Sequence, residues 1–138
     1  MAEYQVARVD RIRESISQMK EDDIQIALSH VPITQEEMNA SALNDDRSTV
    51  FSLRKASLIL SGHWCGGQFR IPLLGAPYVP GLGSWPSDSL LRGLNYLNSI
   101  PQYISPGLSA SSVYEWWQSF RFMNQPIVTR ITLTSKYQ

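Results

Sequence analysis

Cys65 is the single cysteine of this 138-residue chain, and it stands in the run Ser61-Gly62-His63-Trp64-Cys65-Gly66-Gly67-Gln68-Phe69. A cysteine between an aromatic residue and two glycines, after an apolar run with strand character, has the context of a reactive thiolate at a helix N-terminus. His63, two residues away, would lie on the same side of a strand as Cys65. A cysteine hydrolase needs such an imidazole as base and an Asp or Asn to orient it. His30 or His63 and Asp88 or Asn95 are the candidates, with nothing in the sequence to bring them together. The competing reading makes Cys65 a small buried hydrophobe in a glycine-lined turn.

Other chemistries are poorly supplied. Two histidines and one cysteine offer no zinc-ligand spacing, so no metal is expected. Gly62, Gly66 and Gly67 lack the Gly-Lys-Ser/Thr ending of a P-loop, and Gly81-Leu82-Gly83-Ser84-Trp85 reads as a turn. After residue 47 the only carboxylates are Asp88 and Glu115, which argues against carboxylate-driven glycoside or metal chemistry. No cofactor or small-molecule substrate is expected. What remains is a basic and aromatic set: Arg54, Lys55, Arg70, Arg92, Arg121 and Arg130, with Lys136, beside Trp64, Phe69, Trp85, Tyr96, Tyr103, Trp116 and Phe122. Such side chains neutralise phosphates and stack on bases, which makes RNA or another polyanion a candidate partner. An anionic membrane surface is a weaker candidate, because no run of four to eight basic residues is present.

The cysteine run is similar to part of the thioredoxin-type motif, whose Trp-Cys-x-x-Cys follows a strand. In that resemblance Pro126, before Ile127, stands where the family keeps its active-site proline. Gln68 occupies the second cysteine's place, and Pro72 with the Gly/Pro run beyond it interrupts the long helix that should follow. The resemblance therefore implies at most a monothiol reaction that needs a separate partner thiol.

The elements that would position these residues divide by charge. Residues 1–47 hold ten Asp/Glu against five Lys/Arg, and residues 48–138 hold two against seven, so a net charge of zero conceals an acidic part and a basic part. In the first part Val6, Val9, Ile12, Ile16 and Met19 recur at helical steps, with Val9, Ile12, Ile16 and Met19 as a stripe that packs on the domain or docks on another subunit. Glu21-Asp22-Asp23 then suits the start of a helix carrying Ile24, Ile26, Ala27 and Leu28, which Pro32 ends. Thr34 and Glu37 fit a capping box, so a short helix starts there. Asn44-Asp45-Asp46 marks the boundary between an acidic helical arm, 1–47, and a basic α+β body, 48–138.

In the body, Thr49 to Leu60 predicts a strand or hairpin, and all eight glycines with six of the eight prolines fall between Gly62 and Gly107. That block reads as an ordered loop system interrupted by one helix from Ser87, striped by Leu90, Leu91, Leu94 and Leu97. A last helix spans Ser112 to Met123, and Pro126 to Thr134 alternates as a half-buried strand. The fold class expected is α+β: an N-terminal helical arm packed on a small mixed domain with a Gly/Pro-rich loop region, two further helices and a short β-sheet.

Few catalytic polar groups, abundant aromatic and uncharged apolar residues, and complementary charge on the two parts favour a non-enzymatic structural protein. It would act by self-association and partner docking, as small viral structural or matrix-type proteins and adaptor subunits do. No apolar run approaches the roughly 20 residues that span a bilayer. The polar, acidic start Met1-Ala2-Glu3-Tyr4 does not fit a secretion signal, so a cytoplasmic setting is expected.

Overall fold

The computed structural model describes residues 22–43, 56–110 and 120–134, together with residues 7, 10, 11, 14, 15 and 17–20. Its centre is a four-stranded sheet of order β1-β2-β6-β5, built from β1 (Ile26–Leu28), β2 (Leu58–Ser61), β5 (Gly93–Leu97) and β6 (Ile100–Ile104). β1, β2 and β6 are mutually parallel, and β5 closes back antiparallel on β6. A helix, α1 (Gln35–Leu43), connects β1 to β2, and a small antiparallel hairpin of β3 (Tyr78–Val79) and β4 (Gly83–Ser84) lies in the long connection from β2.

The capping box forms as its spacing predicts. The Thr34 N–H donates to Glu37 Oε2 at 2.8 Å and the Glu37 N–H donates to Thr34 Oγ1 at 3.2 Å. α1 lays Met38 on one face of the sheet, where Met38, Ala56, Ile59 and Leu97 form a buried cluster with Ala27, Ile33 and Ile100 against it. A second cluster, Ala76, Val79 and Leu91 with Trp64 and Leu82, holds the β3–β4 hairpin. β2 is central and nearly all buried, so its Leu-Ile-Leu run fits a strand covered on both sides.

The expected fold class needs correction. α1 is the only complete α-helix among the elements described; residues 7, 10, 11, 14, 15 and 17 are helical, but neither a helical arm packed on the sheet nor two further helices is part of the architecture those elements form. The stripe Ile24, Ile26, Ala27 and Leu28 is not a helix but leads into strand β1, because parallel pairing with β2 takes its backbone bonds. Glu21 lies outside the described residues, and Asp23 caps a turn by accepting from the Lys20 N–H at 2.7 Å. After Ser87 comes only a one-turn 3-10 segment, Asp88–Leu90, and Leu94 and Leu97 belong to β5. There the two-residue connection Asn98-Ser99, with φ of 48° and 74°, makes a tight hairpin whose positive φ at both centres matches the strand twist. Of the expected helix at Ser112, residues 112–119 lie outside the described residues, and Phe122 instead bridges to Phe69. Residues 124–134 are in neither helix nor strand and belong to neither sheet. Likewise the expected strand over Thr49 to Leu60 is seen as β2, with residues 49–55 outside the described set.

Gln102, 1% exposed at the centre of β6, secures the loop before α1. Its amide oxygen accepts from the Ile33 N–H at 2.9 Å, and its amide nitrogen donates to the Ile33 carbonyl at 3.0 Å. One side chain thus does for Ile33 what a neighbouring strand would do. Gln102→Leu keeps the volume and strands both backbone groups, each costing about 1–3 kcal/mol when buried unpaired. A loss of roughly 2–3 kcal/mol in urea unfolding is expected, and a change below about 0.5 kcal/mol would show that the loop re-pairs elsewhere.

Candidate functional site

The run around Cys65 becomes a junction. Cys65, Gly66, Gly67 and Gln68 carry φ of 50°, 65°, 83° and 38°, so the chain makes a tight turn at Cys65–Gly67 and no helix follows. Among the described residues no α-helix starts at this turn, so the helix N-terminus expected beside the sulfur is not found there. The thiol donates to the His63 backbone carbonyl at 3.7 Å. The exposed His63 ring lies edge-on to His30 and to Trp64, each centroid 4.5 Å away.

The group at this turn that gathers partners is the Cys65 carbonyl oxygen. Arg121 Nη2 donates to it at 3.0 Å and Asn124 Nδ2 at 2.8 Å. Arg121 also donates through Nη1 to the Gly107 carbonyl at 3.1 Å and through Nη2 to the Pro106 carbonyl. Neighbouring bonds continue the seam, with the Arg70 N–H on the Phe122 carbonyl, the Phe122 N–H on the Gln68 carbonyl, and Phe69 stacked on Phe122 at 4.8 Å. The turn is thus the place where the chain returning from residue 120 is fastened. Because Cys65 acts through its backbone, Cys65→Ala is expected to change unfolding free energy by less than about 1 kcal/mol. A loss above about 2 kcal/mol would give the sulfur a role that its single weak bond does not account for.

Beside the junction opens a cleft of about 400 Å³ lined by Trp64, Gly67, Gln68, Phe69, Pro77, Tyr78, Val79, Pro80 and Phe120. Gln68 is joined by only two other polar side-chain groups in the lining, the Trp64 indole N–H and the Tyr78 hydroxyl, so the cleft suits apolar groups. A second hollow of about 530 Å³ is lined in part by Arg70, Asp88, Arg92, Met123 and Ile127. Its charges are tied to one another: Arg70 is 7% exposed, donates to the Gly66 carbonyl at 3.1 Å and meets Asp88 at 2.5 Å, and Arg92 stands 4.0 Å from the same carboxylate.

The sheet face opposite α1 is apolar throughout, covered at Leu58 in its middle and exposed at its two edges. Alternation and register put Ile26, Leu28, Leu58, Leu60, Pro101, Tyr103, Leu94 and Tyr96 on it. Not one of the eight is charged or carries an amide, whereas the buried face holds Ser61, Asn95 and Gln102. A sheet face left to solvent alternates polar residues outward. Leu28 and Leu94, at the two ends of the row Leu28, Leu60, Tyr103, Leu94, are 81% and 56% exposed.

The residues singled out from sequence are scattered by this geometry. Arg54, Lys55, Val9, Ile12 and Ile16 lie outside the described residues, and Met19 is half-buried. Arg70 and Arg121 are consumed by internal bonds, which leaves Arg92 and Arg130 exposed and on separate elements. Asp88 is taken by the arginines, and Asn95 lies on the α1 face of β5, far in register from the Cys65 turn. Pro126 is exposed. Sequence reasoning missed Gln102 and Asn124, and it assigned Arg121 to a polyanion rather than to backbone carbonyls. A lone amide inside Ile-Pro-Gln-Tyr-Ile was the available signal for Gln102, whereas Arg121 and Asn124 bond to carbonyls that no side-chain pattern advertises.

Among the described residues no group of three or more His, Cys, Asp or Glu converges to hold a metal, and no helix is long and apolar enough to cross a membrane. Compared with protein-family models, with curated proteins and with solved structures, the chain matches none.

Proposed function

We propose that the chain is a non-enzymatic structural protein that works by associating with copies of itself and docking on a protein partner. The observation that carries this reading is the sheet face opposite α1, whose eight described positions are all apolar or aromatic while its ends stand open to solvent. Fully burying a Leu, Ile or aromatic side chain contributes roughly 1.5–3 kcal/mol. Covering Ile26, Leu28, Leu94 and Tyr96 together therefore reaches the range needed to offset the entropy of association. The cleft beside Cys65, with Trp64, Phe69, Tyr78 and Phe120, supports partner docking because aromatic walls anchor protein contacts. A cytoplasmic location suits a chain whose one cysteine is free.

Sedimentation of the full chain across a concentration series tests the proposal. Weight-average mass should rise with concentration, and substituting Leu94→Lys on the exposed face should suppress the rise. A chain that stays monomeric at every concentration, in low and high salt, would remove self-association as its function.

A further inference from the structure

From Ile127 to Thr134 the chain reads Ile-Val-Thr-Arg-Ile-Thr-Leu-Thr, with six β-branched residues in eight. This composition is that of a strand. The segment is in neither helix nor strand and pairs with no strand among the described residues. Ile127, Val128, Ile131 and Leu133 are 39%, 80%, 42% and 54% exposed. Two bonds tie it to its own domain: the Ile127 N–H to the Gly107 carbonyl at 3.1 Å, and a hydroxyl contact between Thr129 and Tyr103. Local preference and tertiary placement disagree here, which points to a partner strand that the described residues do not supply.

The sheet offers a matching edge. The Gln25 carbonyl and the Ser29 N–H bond to the β2 side. The two-residue period then turns the backbone groups of Ile24, Ile26 and Leu28 outward, where no strand is paired among the described residues. Exposed edges are ordinarily guarded by Lys, Pro or a bulge. This one presents Ile24, Ile26 and Leu28 at 66%, 41% and 81% exposure.

Charge chooses between the two edges of the sheet. β1 is preceded by Glu21-Asp22-Asp23, and β5 by Arg92; the last 23 residues contain no Asp or Glu but include Arg130 and Lys136. We infer that residues 127–134 are an exchange arm that adds a fifth strand to the β1 edge of a second copy, antiparallel to β1. Opposing Ile131 to Ile26 sets Leu133 against Ile24 and Thr129 against Leu28. Each pair can exchange two backbone bonds, and the arm's Ile131 and Leu133 extend the apolar face already described. The inference rests on the self-association reading and adds to it a second contact, at the β1 edge, beside the face that reading uses.

The test uses three full-length chains: the native sequence, Ile131→Pro, which removes an arm N–H, and Leu28→Lys, which charges the edge. Circular dichroism and urea midpoints establish that each folds. The native chain should associate more weakly as salt rises, and each variant alone should dissociate at least tenfold more readily. An equimolar mixture should recover a dimer, because one chain supplies the arm and the other the edge. Hydrogen exchange on the native chain adds a readout that needs no variant: the Ile26 and Leu28 amides should slow as it associates. If the native chain associates but those amides exchange equally fast at all concentrations, or both variants associate like the native chain, the arm inference fails and self-association stands on another surface. If the native chain is monomeric throughout and those amides are already slow, the arm lies on its own edge and the exchange is wrong. A monomer with fast amides removes both readings.

Discussion

Arg121→Met should lower the free energy of unfolding by about 3 kcal/mol, the largest effect expected of any single charge removal in the described structure. The guanidinium donates to the carbonyls of Cys65, Pro106 and Gly107, and hydrogen bonds to a charged group contribute roughly 1.5–3 kcal/mol each. The three do not add fully. The Cys65 carbonyl keeps Asn124 and the Gly107 carbonyl keeps the Ile127 N–H, so the Pro106 carbonyl is the one left bare, at a residue that is among the most fully buried. Met retains the apolar stem, which separates the loss of donors from the loss of packing. Lys should restore little of the deficit, since a single ammonium cannot span three carbonyls as a planar fork does. Urea unfolding measures the change, and with the slope of a small domain it amounts to a midpoint shift of roughly 1–2 M. A shift equivalent to less than about 0.5 kcal/mol would mean that the returning chain is fastened by something other than Arg121. The same result bears on polyanion binding: weak nucleic-acid affinity in an Arg121 variant would first have to be corrected for the unfolded fraction.

Arginine illustrates why the candidate sites were only partly legible in the sequence. The residue types Arg70, Arg92, Arg121 and Arg130 announce positive charge, but whether a guanidinium faces a phosphate or a backbone carbonyl is decided by where loops cross. Those crossings here are long-range: Arg121 reaches Cys65 and Arg70 reaches Asp88. Helical periodicity misled for a related reason. Leu90, Leu91, Leu94 and Leu97 fit a helical stripe, yet Gly93 and the Asn98-Ser99 turn let β5 fold onto β6, and pairing with five residues of β6 outweighs a spacing that either structure could satisfy. Pro101 concealed β6. It sits at the second position of the strand, before Gln102 where pairing with β2 begins, so the donor it lacks is not required there. The cues that did hold were chemical and local: the Thr34–Glu37 box started α1, and the apolar run before Ser61 made β2. The charge division at residue 47 was legible as composition, but Ile26–Leu28 from its acidic side and Leu58–Ser61 from its basic side are neighbours in one sheet.

Gly67→Ala should be the most damaging single-methyl change near the cleft, costing about 3–4 kcal/mol. The residue holds φ of 83°, and a β-carbon there would stand 2.7 Å from Ala76 Cβ and 3.1 Å from Leu91 Cδ1. Ala76 and Leu91 are 1% and 0% exposed, so neither can yield toward solvent. A left-handed conformation costs an L-residue roughly 1–2 kcal/mol, and forcing a methyl into a packed core adds about 1–3 kcal/mol. The two parts separate in a double-mutant cycle with Ala76→Gly, which opens space for the new methyl and leaves the backbone cost in place. The expected coupling is about 1–2 kcal/mol in favour of the double variant, read from urea unfolding of all four chains. Zero coupling would assign the whole loss to the backbone and would mean that Ala76 does not hold the turn. Because Ala76 leads directly into Pro77, Tyr78 and Val79, the displaced wall is also the wall of the cleft. Trp64 fluorescence should shift in the Gly67→Ala chain even where it remains folded, and a partner docked in that cleft should be lost before the sheet is.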